Sequence, residues 1–219
     1  MMNEIIEKAK TVTTYKADFK ETISSKGKTM TSQGTLAVKS PDKMHKTAKF
    51  NVKEGATKEE YVIGDVVWTY IPSLKAAQKI DMAKVKKAMQ KQVATGAGDM
   101  VNPFAGLPKN KIKFIEAKTV EGKSVYVFDS VISTAAQSQS QGAPQLTPQK
   151  VILWVDPATG MRQKHFVYAK DGSIMIEATY SNYRLNVQIA ESEFQFNPPP
   201  GVQLKDMTDA TISNMKKQQ

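Results

Sequence analysis

Through most of the chain apolar residues fall at every second position; they fall at every third or fourth only near the start and in one stretch past residue 80. A period of two marks strands, and a period near 3.6 marks helices. The first helical stretch spans residues 3–12, where Ile5, Ile6, Ala9 and Val12 share a stripe suited to covering a sheet. From Tyr15 the period changes. "YKADFKETIS", "TSQGTLAVKS", "KMHKTAKFNV", "EEYVIG" and "VVWTYIP" follow closely, punctuated by Gly27, "SPDK", "EGA" and "GD". Short strands with such turns predict an antiparallel meander.

The second helical stretch, "DMAKVKKAMQKQVATG", puts Met82, Val85, Met89 and Val93 on one stripe and Lys84, Lys87 and Lys91 elsewhere, until Gly96 and Gly98 stop it. An apolar loop, "MVNPFAGLP", is broken by Pro103 and Pro108. Strands resume with "KIKFIEAK", "KSVYVFDSVIS", "KVILWVDPATG", "MRQKHFVYAKDG" and "SIMIEATYSNYRLN", with "DPATG" and "AKDGS" as hairpin turns. A last strand is expected at "EFQF", where Phe194 and Phe196 alternate before the prolines 198–200 end it. Residues 134–149 are polar, low in complexity and aperiodic, and read as a mobile insertion between strands. The tail "DATISNMKKQQ" reads as a frayed helix. No internal repeat is visible, so residues 1–219 form one domain with its core at 15–206.

Several strands are apolar on both faces. In "VILWV", Val151, Leu153 and Val155 oppose Ile152 and Trp154; in "VVWTYI", Val66, Trp68 and Tyr70 oppose Val67, Thr69 and Ile71. A one-sided sheet alternates more cleanly, so both faces are covered. Ten or eleven strands tend to curl into a partial barrel. Its inside is either an ordinary filled core or a cavity for an apolar ligand, with the methionine-bearing helix as an adaptable lid.

Composition narrows the function. The net charge is +10, yet of the 31 cationic residues all but Arg162 and Arg184 are lysines, and they are scattered. Base and phosphate readers favour clustered arginine, so nucleic acid is not expected. A solvated basic surface explains the charge, with an anionic lipid surface as the alternative. The absence of cysteine removes disulfides and thiolate chemistry. No apolar run is long enough to span a bilayer. The opening "MMNEIIEKAK" lacks the basic-then-apolar order of a signal peptide. Chemistry is sparse: only His45 and His165 occur, on separate strands, with no nucleophile elbow, phosphate loop or dinucleotide fingerprint. No catalytic residue, metal site or cofactor is expected, and the chain reads as a non-enzyme.

Four stretches, in order, resemble the outer-membrane lipoprotein carrier and sorting family, the Lol-type carriers. They are "YKADFKETI" with "GTLAVKSP", then "EYVIGDVVWTYIPSLKAAQKI", "YSNYRLNVQIAESEFQF" and "PPPGVQLKD". The resemblance implies a mainly β (α+β) fold: one curled antiparallel sheet forming a half-open barrel, with helices as a lid over an apolar cavity. It implies a periplasmic carrier, its signal peptide removed, that binds the acyl chains of lipoproteins and shuttles them between membranes. Its partners would be an inner-membrane donor and an outer-membrane acceptor, and it would act as a monomer. A membrane-anchored lipid- or glycolipid-binding relative and a lipoprotein-sensing regulator are the alternatives.

On this reading acyl chains lie against Phe19, Leu36, Val38, Phe50 and Val62, together with Trp68, Tyr70, Met89 and Phe104. The lid is residues 82–107, with Met82, Val85, Met100 and Leu107 as its candidate residues. Family members carry an arginine before the proline of the second strand as a latch for the lid. Here Ser40 takes that place after Lys39, so these two residues are the candidates for a latch.

Overall fold

The computed structural model describes residues 1–25, 27–51, 56–89, 101–131 and 148–216. Among them twelve strands form one open sheet: β1 (Thr14–Ser25), β2 (Lys28–Lys39), β3 (Lys43–Phe50), β4 (Thr57–Ile63), β5 (Val66–Ile71), β6 (Ala76–Asp81), β7 (Lys113–Val120), β8 (Lys123–Val131), β9 (Pro148–Val155), β10 (Arg162–Ala169), β11 (Ile174–Leu185) and β12 (Gln203–Asp206). Their spatial order is β12-β6-β5-β4-β3-β2-β1-β11-β10-β9-β8-β7. Two meanders of sequence neighbours thus meet where β1 pairs antiparallel with β11. The sheet curls without closing, so the half-open barrel expected from the sequence is the architecture found.

Local chemistry sets the corners. Asp156 Oδ1 accepts the Ala158 N–H at 2.8 Å in the β9–β10 turn. Asp171 Oδ1 accepts the Ser173 N–H at 2.9 Å in the β10–β11 turn. Gly160 has φ +74°, and a Cβ there would stand 2.6 Å from the Ile5 carbonyl oxygen and 2.8 Å from the Ala9 nitrogen. Only glycine lets that turn meet helix α1 (Met2–Lys10) so closely. Ile5 and Ala9 are the buried side of α1, and they pack into the clusters on the concave side of the sheet.

Helix α2 (Met82–Met89) starts at Asp81, whose Oδ1 accepts the Lys84 N–H at 3.1 Å. Its buried residues are Val85 and Met89. It packs on helix α3 (Thr208–Lys216), whose Thr208 hydroxyl accepts the Asp81 N–H at 2.9 Å. Over Thr208–Lys216 the tail is therefore a packed helix rather than a frayed one, held against α2 and β6. Residues 91, 93, 96 and 98 of the expected second helix lie outside the described residues, as do 134–147 of the expected insertion. Residues 148 and 149 of that stretch already belong to β9.

The expected strand at "EFQF" is not one. Glu191–Phe194 is a 3-10 turn, and the chain continues extended, outside any strand, into the prolines. Three prolines without N–H groups cannot serve a ladder, so this segment lies across the sheet instead of joining it. Gly201, at φ +79°, then turns the chain so that β12 runs parallel to β6, Gln203 opposite Ala76.

Candidate functional site

Residues directly opposite each other in neighbouring strands share a face, which assigns every side chain to the inner or the outer surface. The inner face carries Tyr15, Ala17 and Phe19 of β1, Leu36 and Val38 of β2, Met44 and Ala48 of β3, and Val62 of β4, joined in one buried cluster with Val101 and Met161. A second inner cluster holds Phe128, Val151, Leu153 and Val155 with Ile5 and Phe104. Within the first cluster, Gly34 stands in the ladder between Phe19 and Ala48; a Cβ there would fall 1.8 Å from the Thr47 carbonyl oxygen.

Part of this wall is covered. Phe104, 3% exposed, stands edge-on against Phe128 at 4.9 Å between ring centroids. Leu107 packs beside it, and Val101 joins the first cluster. Arg162, on the inner face opposite Val155, donates from Nη2 to the Pro103 carbonyl at 2.6 Å. The Tyr183 hydroxyl donates to the Arg162 carbonyl at 2.7 Å, fixing the start of β10. Phe50, Val67, Tyr180, Tyr183 and Leu185 fringe the wall and are only partly buried.

Of the residues expected along the cavity, Phe19, Leu36, Val38, Phe50 and Val62 share the inner face, with Phe104 lying over it. Met89 and Val85 are buried sides of α2, Met82 is half-buried at its start, and Met100 lies outside the described residues. Trp68 and Tyr70 are not with them. Tyr61 opposes Trp68 and Glu59 opposes Tyr70, which puts both rings on the outer face. There Phe196 meets Tyr61, Trp68 and Tyr70 at 5.4, 5.1 and 5.6 Å. Phe194 is buried on the same side with Ala37 and Ile189. Both phenylalanines of "EFQF" therefore cover the outside of the barrel.

Lys39 and Ser40 do not reach the cover either. Lys39 and Lys43 both pair with Glu191, the latter at 2.5 Å, and Lys16 pairs with Glu193 at 2.7 Å. The Ser40 N–H donates to the Thr13 carbonyl at 2.8 Å. These pairs fasten the segment around Glu191 to the outer face. The two lysines hold the Glu191 carboxyl down to about 2.

Sequence reasoning passed over Arg162 and Lys46. Lys46 follows Met44 by two positions, which is the one cue that a cation shares the apolar face. Its Nζ sits 4.4 Å from the centroid of the Phe19 ring. Neither histidine meets a metal set: among the described residues no three His, Cys, Asp or Glu side chains are grouped to hold an ion. His45 stacks on Tyr61 at 4.2 Å outside. His165 lies inside against Tyr180 at 6.0 Å, its pKa lowered to about 3 by burial and by the nearby charges of Arg162 and Lys46. Burial likewise raises Tyr15, Tyr180 and Tyr183 above the usual phenol range. Trp154 lines an outer groove of about 330 Å³ with Lys118 3.7 Å over its ring. Among the described residues no helix is long and apolar enough to cross a membrane.

No protein-family model matches the chain, and no curated protein sequence does. Solved structures do. An uncharacterized conserved protein from Thermus thermophilus superposes with a TM-score of 0.57 at 10% identity, over 94% of this chain and 96% of its own. The lipoprotein LppX of Mycobacterium tuberculosis gives 0.49 at 12% identity, over 86% and 94%. A LolA superfamily protein from Nitrosomonas europaea gives 0.40 at 12%, over 89% and 97%. At these identities the likeness is one of fold.

Proposed function

We propose that the chain is a lipid carrier that binds long alkyl chains, those of acylated lipoproteins or of other lipids, between the inner face of the sheet and the segments covering it. The observation behind this reading is the inner wall itself. An apolar cluster reaching from Tyr15 to Val62 is covered in part by a short segment, 101–107, tied to the sheet by the Arg162–Pro103 hydrogen bond. A ligand that takes the place of Val101 and Phe104 restores the burial they give up. Each CH₂ contributes about 0.8 kcal/mol, so eight methylenes supply about 6 kcal/mol before opposing entropy.

No bond is made or broken in such a cycle, and the chain needs no catalytic group. Release requires only a partner surface that holds the alkyl chains better. In the fuller form of the proposal the protein is a periplasmic monomer that takes acylated lipoproteins from an inner-membrane donor and delivers them to an outer-membrane acceptor. Phe19, Leu36, Val38, Phe50 and Val62 form the wall, and 101–107 with α2 forms the moving cover.

Displacement of a bound hydrophobic dye tests the reading. A triacylated lipopeptide is expected to displace it, and the same peptide without acyl chains is not. Equal displacement by a diacyl phospholipid assigns a general lipid carrier instead of a lipoprotein carrier. Dye that neither lipid displaces overturns the proposal.

A further inference from the structure

We infer that the inner face is built for an amphiphile with an anionic head, a carboxylate or phosphate on an alkyl chain, with Arg162 and Lys46 as the head-binding pair. The inference rests on the alkyl-binding reading above and adds a polar subsite to it.

The inner wall carries charge as well as apolar side chains: Lys58 and Glu60 of β4 and Glu21 of β1 share its face, and so do two cations that make no ion pair among the described residues. Lys46 stands on the inner face opposite Leu36, its ammonium over the Phe19 ring. Phe19 faces Tyr180 in the next ladder, and His165 stacks on Tyr180. Arg162 enters from the same strand as His165. A single patch thus collects two cations, a phenol and an imidazole beside the aliphatic and aromatic cluster of the inner wall.

These cations are not balanced. Among the described residues neither Arg162 nor Lys46 has a carboxylate within 4.0 Å, whereas Lys16, Lys39, Lys43, Lys58 and Lys164 all do. The acids nearest in register are Glu60, which stands opposite Lys46 on the same face but pairs with Lys58 at 3.0 Å, and Glu21, which stands on the inner face opposite Ala178. Two polar atoms are also out of contact with solvent and without a hydrogen-bond partner, Nε of Arg162 and Nδ1 of His165. Withdrawing a guanidinium from water costs several kcal/mol unless it is paired, and orphaned buried donors add to that. A carrier of purely apolar chains gains nothing from an ammonium at position 46, where an aliphatic side chain would extend the wall.

An anionic head resolves each of these features. It supplies the missing counter-charge, accepts from Arg162 Nε, and accepts from His165 in its Nδ1–H tautomer. An ionised oxygen is also a stronger acceptor than the neutral Pro103 carbonyl that Arg162 now holds. The alkyl chain then runs from this patch along the wall toward Val38 and Met44.

The test uses the full chain, a displaceable hydrophobic dye and three ligands with one sixteen-carbon chain: palmitate, palmitoyl lysophosphatidate and uncharged hexadecanol. At least one anionic ligand is expected to displace the dye at a concentration tenfold or more below that of hexadecanol. The better of the two identifies the head as carboxylate or phosphate. Lys46→Gln, at a half-exposed position, is expected to abolish that preference while leaving hexadecanol unchanged. Lys49→Gln, exposed on the neighbouring outer position, is expected to keep it. Equal displacement by all three ligands, or a preference that Lys49→Gln lowers as much as Lys46→Gln does, overturns the head site and leaves the alkyl site standing. Displacement by none of them overturns the alkyl-binding reading itself.

Discussion

Phe104 separates a wall from a plug, and truncating it gives opposite results for the two. The ring is 3% exposed and lies edge-on to Phe128. Full burial of such a side chain is worth about 1.5–3 kcal/mol, and an edge-to-face pair adds about 0.5–1.5 kcal/mol. Holding segment 101–107 on the sheet therefore draws about 3 kcal/mol from this one residue. If a ligand enters by displacing the segment, Phe104→Ala removes that much from the cost of opening. Affinity then rises by up to about two decades, at 1.4 kcal/mol per decade. Global stability falls by about 3–5 kcal/mol, as for other buried aromatic truncations. Lipopeptide titration by calorimetry reads the first number, and urea unfolding of the free protein reads the second. A variant that keeps its fold but binds more weakly than wild type refutes the displacement argument, because Phe104 would then be touching the ligand and not yielding to it.

Three further outcomes follow from particular contacts. Gly160→Ala forces a Cβ against the backbone of α1 at a positive φ, and is expected to lower unfolding free energy by about 1–3 kcal/mol in urea titration. Phe196→Ala is expected to red-shift the Trp68 emission and to leave lipid binding intact, since the contact lies on the outer face. Glu191 is held below its ordinary value of 4.5, so the stability it contributes is present above that pH and is lost as pH falls toward about 2. Glu191→Gln is expected to flatten the acid limb of the stability profile in that window; because the pair is exposed, the effect is small and weakens further in salt.

The strands were legible because a period of two survives from Tyr15 to Leu185 with turn residues between the runs. Which parity faces inward was not. In "VVWTYI" both parities are apolar, so Trp68 and Tyr70 were as credible inside as Val67 until the pairing with Tyr61 and Glu59 fixed them outside. The outer rings of β4 and β5 are covered by the chain after β11, and that cover was hidden by its own spacing. Phe194 and Phe196 alternate like a strand while belonging to a 3-10 turn and the extended chain after it. β12 carries no signal at all: "QLKD" is exposed throughout and pairs by position alone. Arg162 was visible only as one of two arginines, because its role depends on a carbonyl 59 residues away.

The meeting of β1 with β11 also has a kinetic side. Every other antiparallel pair in the sheet joins neighbours in sequence, so each meander can form from local contacts. The pairing of Tyr15 with Leu185 encloses nearly the whole domain. Closing a loop of that length carries an entropy cost of about 4–5 kcal/mol, which β1 can recover only once β11 is present. In a chain emerging N-terminus first, the first strand has β2 on one side and no partner on the other until residue 174 has been made. The apolar inner wall, to which β1 contributes Tyr15, Ala17 and Phe19, is thus the last large surface to be completed, and the slow step of folding is the closing of the central seam.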